Sequence, residues 1–580
     1  MSRCLRRLGL AQSGVLLLAV LVACGNSGGG DTSDGGGGSS GGSGSGSSSG
    51  TGSGSSSGTG SGSSSGAGSS SGAGSGSSSG TGSSSGGGSG SSSGGMKDSG
   101  TDSGPSAVDP SVYQHHRNGT RDGLYIDPVF TQAAAATTHV LSSFMGMVTT
   151  TVYAQPLYVE NGPGGAEAFV VATEDNHVTT YNATTGAMIW DTGPSTIGAY
   201  ATSNPPGGSV GSNNIGITGT PYIDITTRLI FFDAMTTPDN NNTYLHKVFA
   251  LNLDNGMVAP NWPVDVNAQV SGFDSGIQNE RGALQFLNGV LYVPYGGYDG
   301  DGGTYYGSVI GFPLSNPQKP TWWHTVAAKG GVWGPGALPT DGTSIFPVTG
   351  NTSGANGTWG GGEAVIRLGA GPTFSNMTAD YYTPTNWQAL DNSDTDLGGA
   401  SEVLVDMPGA QYPHLVLAGG KDGNLYILNR DNLGGVGGEL LKTSVSNSEV
   451  KGAPAAYTTA MGTYVALHLE GGSGKGCPTG QGGNMVVLKI TQSPMAAKMA
   501  WCSKQGDLAS PMVTTTDGTA NPIVWNADSN LYGWNGDTGA VIVDGTKTGM
   551  STAVHKWNTP IAAKGRMVVG VNGQLFVFTP

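Results

Sequence analysis

A step of small residues, often ending in proline, leads into a short apolar strand again and again along this chain. Clear copies are Ala154-Gln155-Pro156, Gly219-Thr220-Pro221, Ala453-Pro454, Ser510-Pro511 and Thr559-Pro560. Weaker copies are Gly282-Ala283-Leu284, Gly336-Ala337-Leu338 and Ala400-Ser401. From residue 156 to residue 560 this makes seven intervals, with a mean of about 58 residues. Within the units, turns such as Asp422-Gly423, Asn288-Gly289 and Asn572-Gly573 supply the positive φ that tight hairpins need. The strands are short, rich in Val, Leu, Ile and Tyr, and no long helix interrupts them. Four such strands exposed on both faces are not stable alone, whereas radial stacking buries both faces against neighbours. The pattern predicts an all-β, eight-bladed β-propeller over residues 106–580. Seven blades is the alternative, because units three to five match the template poorly. The last unit, residues 557–580, stops one strand short. A strand from the N-terminal side, Leu124-Tyr125-Ile126 or residues 129–130, is expected to complete it. His115-His116 falls in what reads as a flexible entry region.

The opening residues have another character. Arg3, Arg6 and Arg7 precede an apolar run over residues 8–23, too short for a membrane span of about 20 residues. Leu21-Val22-Ala23-Cys24-Gly25 follows and looks like a bacterial lipobox, in which Cys24 takes the lipid and residues 1–23 are removed as a signal peptide. Gly rather than Asp after the cysteine favours the outer membrane of a Gram-negative cell. Residues 25–105 are almost wholly Gly and Ser and cannot bury apolar area, so a disordered tether is expected. Cys477 and Cys502 remain after processing, and in an oxidising compartment they are candidates for one disulfide. With 24 basic and 39 acidic residues the formal charge is -15, which is the wrong sign for binding nucleic acid.

The step Asp-Gly-x-Leu-Tyr, then Asp/Asn-x-x-Thr-Gly and a late Trp, resembles the repeat of pyrroloquinoline quinone (PQQ)-type propellers. Residues 171–190, VATEDNHVTTYNATTGAMIW, are a good copy. The chain looks like a group of bacterial propellers similar to the quinoprotein dehydrogenases. Tyr153-Ala154-Gln155-Pro156-Leu157-Tyr158, Asp394-Thr395-Asp396-Leu397-Gly398-Gly399 and Gly419-Gly420-Lys421-Asp422-Gly423 carry that likeness. In such enzymes a quinone sits near the axis, a cation such as calcium polarises it, and an acid serves as base. The resemblance thus makes PQQ and calcium the candidate cofactors.

The loops entering the innermost strands should supply the site. Their polar groups include Gln155, Asn279, Glu280, Arg281, Asp396, Lys451, Asp507, His555 and Asn558. Asn279, Glu280 and Arg281 are the densest set, and Trp333 is placed to cover the axial opening. Two acidic turns offer oxygen ligands for a cation: Asp299-Gly300-Asp301 and the run from Asp391 through Asp394 to Asp396, with Asp394 and Asp396 as its metal candidates. The chain lacks the adjacent Cys-Cys pair of many alcohol-oxidising members and any haem-attachment motif. The sequence therefore favours a monomeric, lipid-anchored propeller that binds envelope proteins or glycans. Its broad layout resembles the lipoprotein that assists outer-membrane protein assembly. The alternative is a PQQ-dependent oxidoreductase acting on an alcohol or sugar.

Overall fold

The computed structural model describes residues 109–580, apart from 213 and 505–508. The signal segment, Cys24, the Gly/Ser run and Asp507 lie outside the described residues.

Eight sheets form the blades of a propeller. Blade 1 is typical, with Leu157–Val159 innermost, then Ala168–Ala172, Val178–Asn182 and Met188–Thr192 in antiparallel order. The innermost strands of blades 2, 3, 5, 6, 7 and 8 are Tyr222–Asp224, Gln285–Leu287, Val403–Asp406, Ala455–Thr459, Met512–Thr515 and Ile561–Ala563. Each follows one of the small-residue steps. Blade 4 is the irregular one. Its inner part is held by single bridges, Ile345 to Leu368 and Val348 to Val365, before Val365–Ile366 pairs with Tyr381–Thr383.

Period-two alternation places the core. In blade 5, Val403, Leu415 and Leu417 pack toward blade 6, whereas Leu404, Val416 and Ala418 pack toward blade 4. Separate apolar clusters fill the junctions of blades 2 and 3, 3 and 4, and 6 and 7 in the same way. The largest runs through blades 7, 8, 1 and 2, across the point where the ring closes.

Closure differs from expectation. The last blade does lack one strand of its own, but His139–Val140 fills the gap, pairing with Gln574–Thr579. Leu124–Ile126 instead lies parallel to Met512–Thr515, on the axial side of blade 7. The entry region is also buried rather than flexible: His115 and His116 are 2% and 0% exposed. Residues 112–127 thread the central channel and touch the inner strand region of every blade. Val112 exchanges backbone hydrogen bonds with Tyr158, and the Tyr113 carbonyl accepts from Ile223. The carbonyls of Gly119, Thr120, Asp122 and Gly123 accept from Thr340, Leu404, Ala456 and Val513. Arg121 donates to the Leu284 and Gly336 carbonyls, each at 2.9 Å, and Asp127 accepts from the Gly565 N–H at 2.7 Å.

Candidate functional site at the axial mouth

The lead-in loops that precede the inner strands form a collar around the axis. Hydroxyls in these loops stitch one blade to the next. The Gln155 N–H donates to Thr220 Oγ1 at 3.0 Å, Gly336 to Ser401 Oγ at 2.6 Å, and Ala453 to Ser510 Oγ at 2.9 Å. Small residues recur here because the loops crowd one another. A Cβ on Gly336 would lie 3.0 Å from the Ser401 side chain.

Arg281, Trp333, Asp394 and Asp396, all predicted from the sequence, meet at the collar. Arg281, before blade 3, places its guanidinium 5.1 Å from the ring of Trp333, before blade 4. It lies equally over Trp557, before blade 8, at 5.4 Å, and the two indoles are 6.3 Å apart. Arg281 also donates to Asp299 Oδ1 at 2.8 Å. A second cation, Lys421, stands 5.5 Å from the Trp333 ring. Its ammonium is 2.7 Å from Asp396 Oδ2 and 3.6 Å from Asp394. Burial works against the charge on Lys421, but Asp396 and Asp394 outweigh it and hold its pKa up. The acidic turns, about 95 residues apart in sequence, share this mouth. Burial, opposed by Lys421, raises the Asp394 carboxyl, and Asp396 and Asp301 raise it further. Asp396 is itself buried and accepts from the Asn351 N–H at 2.6 Å.

Glu280 and Asn279 lie deeper. Glu280 accepts from the Gly219 N–H at 3.1 Å, while its second oxygen and both amide atoms of Asn279 are buried without a partner. Burial, and then Asp233, push the Glu280 carboxyl well above its usual range. Asp233 itself is engaged by His246 Nδ1 at 2.5 Å and the Tyr295 hydroxyl at 2.9 Å. Glu174, also fully buried, is raised to about 7 by desolvation, against the hydrogen bond it accepts from Gly216.

The other predicted groups sit apart from this set. Gln155 bonds to the entry segment, accepting from the His116 N–H at 2.9 Å. Asn558 Nδ2 points at the carbonyls of Val152 and Ala154. Lys451 is spent on Glu449 and Glu470, at 2.6 and 3.0 Å. His555 packs on the Tyr153 ring at 5.2 Å. Cys477 and Cys502 form a disulfide that ties a rim loop to the last strand of blade 6. Sequence reasoning missed Lys421, Trp557, Glu174, Glu363 and Glu402. The last two are buried carboxyls at the collar, and burial raises Glu402 to about 8. A charged residue at the mouth of an apolar strand, as in Ala400-Ser401-Glu402-Val403, was the available signal. Among the described residues, no three His, Cys, Asp or Glu side chains close around one point.

No protein-family model matches this chain, and no curated protein sequence does. Solved structures do match. The quinohemoprotein alcohol dehydrogenase of Comamonas testosteroni superposes with a TM-score of 0.58 at 14% identity, over 81% of this chain and 80% of its own. The fold is that of the quinoprotein alcohol dehydrogenases. The quinohemoprotein alcohol dehydrogenase ADHIIG of Pseudomonas putida HK5 gives 0.58 at 12% identity, over 81% and 80%. A europium-containing methanol dehydrogenase gives 0.54 at 14% identity, over 82% of this chain and 99% of its own.

Proposed function

We propose that this protein is an exported, lipid-anchored oxidoreductase that holds a flat, acid-bearing quinone at the axial mouth and oxidises an alcohol or sugar. One observation carries the reading: two cations, Arg281 and Lys421, converge on one indole, with a buried carboxylate 2.7 Å from the second of them. An aromatic face suits a planar ring, and guanidinium and ammonium groups suit its carboxylates. The residues present fit such a group. At the mouth, Arg281 Nε is a buried donor without a partner, and such a group is costly unless something meets it. Trp333 would carry the ring and Arg281 and Lys421 its acids. The acidic oxygens nearest for a hard cation are those of the Asp299–Asp301 and Asp394–Asp396 turns, which here pair with Arg281, Lys329 and Lys421. A bound quinone supplies the two-electron acceptor that no side chain provides.

The chain's own residues do the rest. Asp396, with Oδ2 2.7 Å from Lys421 Nζ, would serve as base for the substrate hydroxyl. Residues 112–127 fill the channel from the other side, so substrate enters and product leaves by the mouth. The test is a titration of the purified full chain with PQQ and calcium, followed by tryptophan fluorescence and alcohol-dependent dye reduction. Saturable one-to-one quenching, with dye reduction lost in Asp396→Asn while quenching persists, supports the reading. Absence of any fluorescence or absorbance change removes it.

A second reading, a scaffold that docks envelope proteins, draws on a different surface. Met145, Met147, Met188 and Met257 are each about two thirds exposed around the outer strand of blade 1. Methionine-rich faces suit adaptable protein contacts.

A further inference from the structure

Trp557 has a backbone φ of 66°. That left-handed conformation is an outlier for a bulky side chain and persists only where surroundings enforce it. Its neighbours in sequence are pinned. Lys556 Nζ binds Glu470 at 3.0 Å, and Asn558 is buried with its amide on blade 1 carbonyls. The strained residue is thereby aimed across the axis, from blade 8 toward Trp333 of blade 4, the blade opposite in a ring of eight. The two rings are 6.3 Å apart and tilted by 53°. A flat group between two parallel rings needs van der Waals spacing of about 3.5 Å on each side, so about 7 Å in all. The present gap falls just short of that in distance and well short in angle. Trp333 is the wall fixed by neighbours, with both Arg281 and Lys421 against it. Among the described residues, Arg281 is the cation over the Trp557 ring, and Trp557 follows a segment, residues 549–556, that contains no strand.

We propose that Trp557 is a movable wall which, with Trp333, clamps a flat ring at the axial mouth. It is a positioning residue, and the proposal rests on the axial-site reading above. Turning the Trp557 indole parallel to Trp333 creates the slot. Turning it back shields Trp333 and the Arg281 guanidinium from solvent when nothing is bound. The width of the slot then admits planar conjugated rings and rejects puckered sugars of similar size, which must reach the site as substrates beside the ring and not in its place.

The test uses the full chain in three forms: wild type, Trp557→Gly and Trp557→Phe. Glycine is at ease at positive φ, so the first variant keeps the local backbone. Melting temperatures establish that all three fold. Oxidation of Trp333 by N-bromosuccinimide, read by peptide mass spectrometry, reports how well Trp333 is covered without any cofactor. Trp333 should react severalfold faster in Trp557→Gly, and Trp557→Phe should restore most of the protection. Equal Trp333 rates in wild type and Trp557→Gly overturn the proposal. In a second arm, PQQ should dissociate severalfold faster from Trp557→Gly than from wild type, with phenylalanine again restoring retention. If PQQ binds none of the three, the quinone reading falls, while the labelling still decides whether Trp557 covers Trp333. If PQQ binds wild type and Trp557→Gly with equal dissociation rates, the clamp falls and the quinone reading stands.

Discussion

At the residue scale, the interior near the axis is set by buried ionisable groups that have little to pair with. Burial drives His116 down to about 4 and Glu402 up to about 8, so both are neutral at pH 7. The two shifts limit stability from opposite sides. The folded pKa of His116 lies below its unfolded value of about 6.5. Its contribution is complete above that value and is lost as pH falls toward 4, roughly 3 kcal/mol in all. The folded pKa of Glu402 lies above its unfolded value. Its contribution is complete below about 4.5 and is lost as pH rises through 8, roughly 5 kcal/mol in all. Glu402→Gln should therefore match wild type near pH 4 and melt increasingly higher than wild type as pH rises toward 8, as scanning calorimetry across pH would show. Gly219 makes a second test. A Cβ there would sit 1.9 Å from Glu280 Oε1 and 2.6 Å from the Gly282 carbonyl. Gly219→Ala should cost about 1–3 kcal/mol in urea denaturation, because a backbone atom cannot step aside as a side-chain tip can.

At the element scale, the strands that follow alternation were legible and those set by topology were not. Val403–Asp406 and His414–Gly419 read correctly because alternate residues feed different neighbouring blades. Blade 4 matched the template poorly because its inner strands are reduced to single bridges, so little periodic signal exists. Leu124–Ile126 is a strand, as read, but its partner is chosen by the path of the chain through the channel. His139–Val140 is two residues long and carries no pattern at all. Asn279, Glu280, Arg281 and Trp333 were singled out because they crowd lead-in loops; the structure brings Arg281 and Trp333 together at the mouth and leaves Asn279 and Glu280 deeper. Lys421 and Trp557 were missed because their part in the site depends on which blades oppose one another. The disulfide closes a loop with a sequence separation of 25. Cys502→Ser should lower stability by about 3 kcal/mol, from chain entropy alone, measured by denaturation with and without reductant.

On the scale of the whole molecule, the entry segment joins all the blades around the axis, whereas Arg281, Trp333 and Trp557 link only three of them at the mouth. Arg121 is its main fastening. It is 1% exposed and donates to Gln114, to the His115 carbonyl and to carbonyls of blades 3 and 4. Burial, opposed by Tyr222 and Glu402, lowers its pKa to about 10, and it stays charged at neutral pH. Arg121→Ala should cost 3 kcal/mol or more, given about 1.5 kcal/mol or above for each charged hydrogen bond lost. The same variant should expose Arg117 to trypsin under conditions where wild type resists, as limited proteolysis with mass spectrometry would reveal.

The threaded segment also sets a clock. Asp127 is among the first described residues to leave a ribosome, yet the Gly565 N–H it must accept arrives 438 residues later. Closing so long a loop costs only about 2 kcal/mol more than closing one of about 58 residues, since the entropy grows with the logarithm of length. The delay is therefore one of order and not of energy. Individual blades can assemble as they emerge, but the axis cannot be sealed until the last twenty residues exist. A chain halted early would be a curved stack with an open centre, and Asp127 and His139–Val140 would lack the partners they take in the last blade.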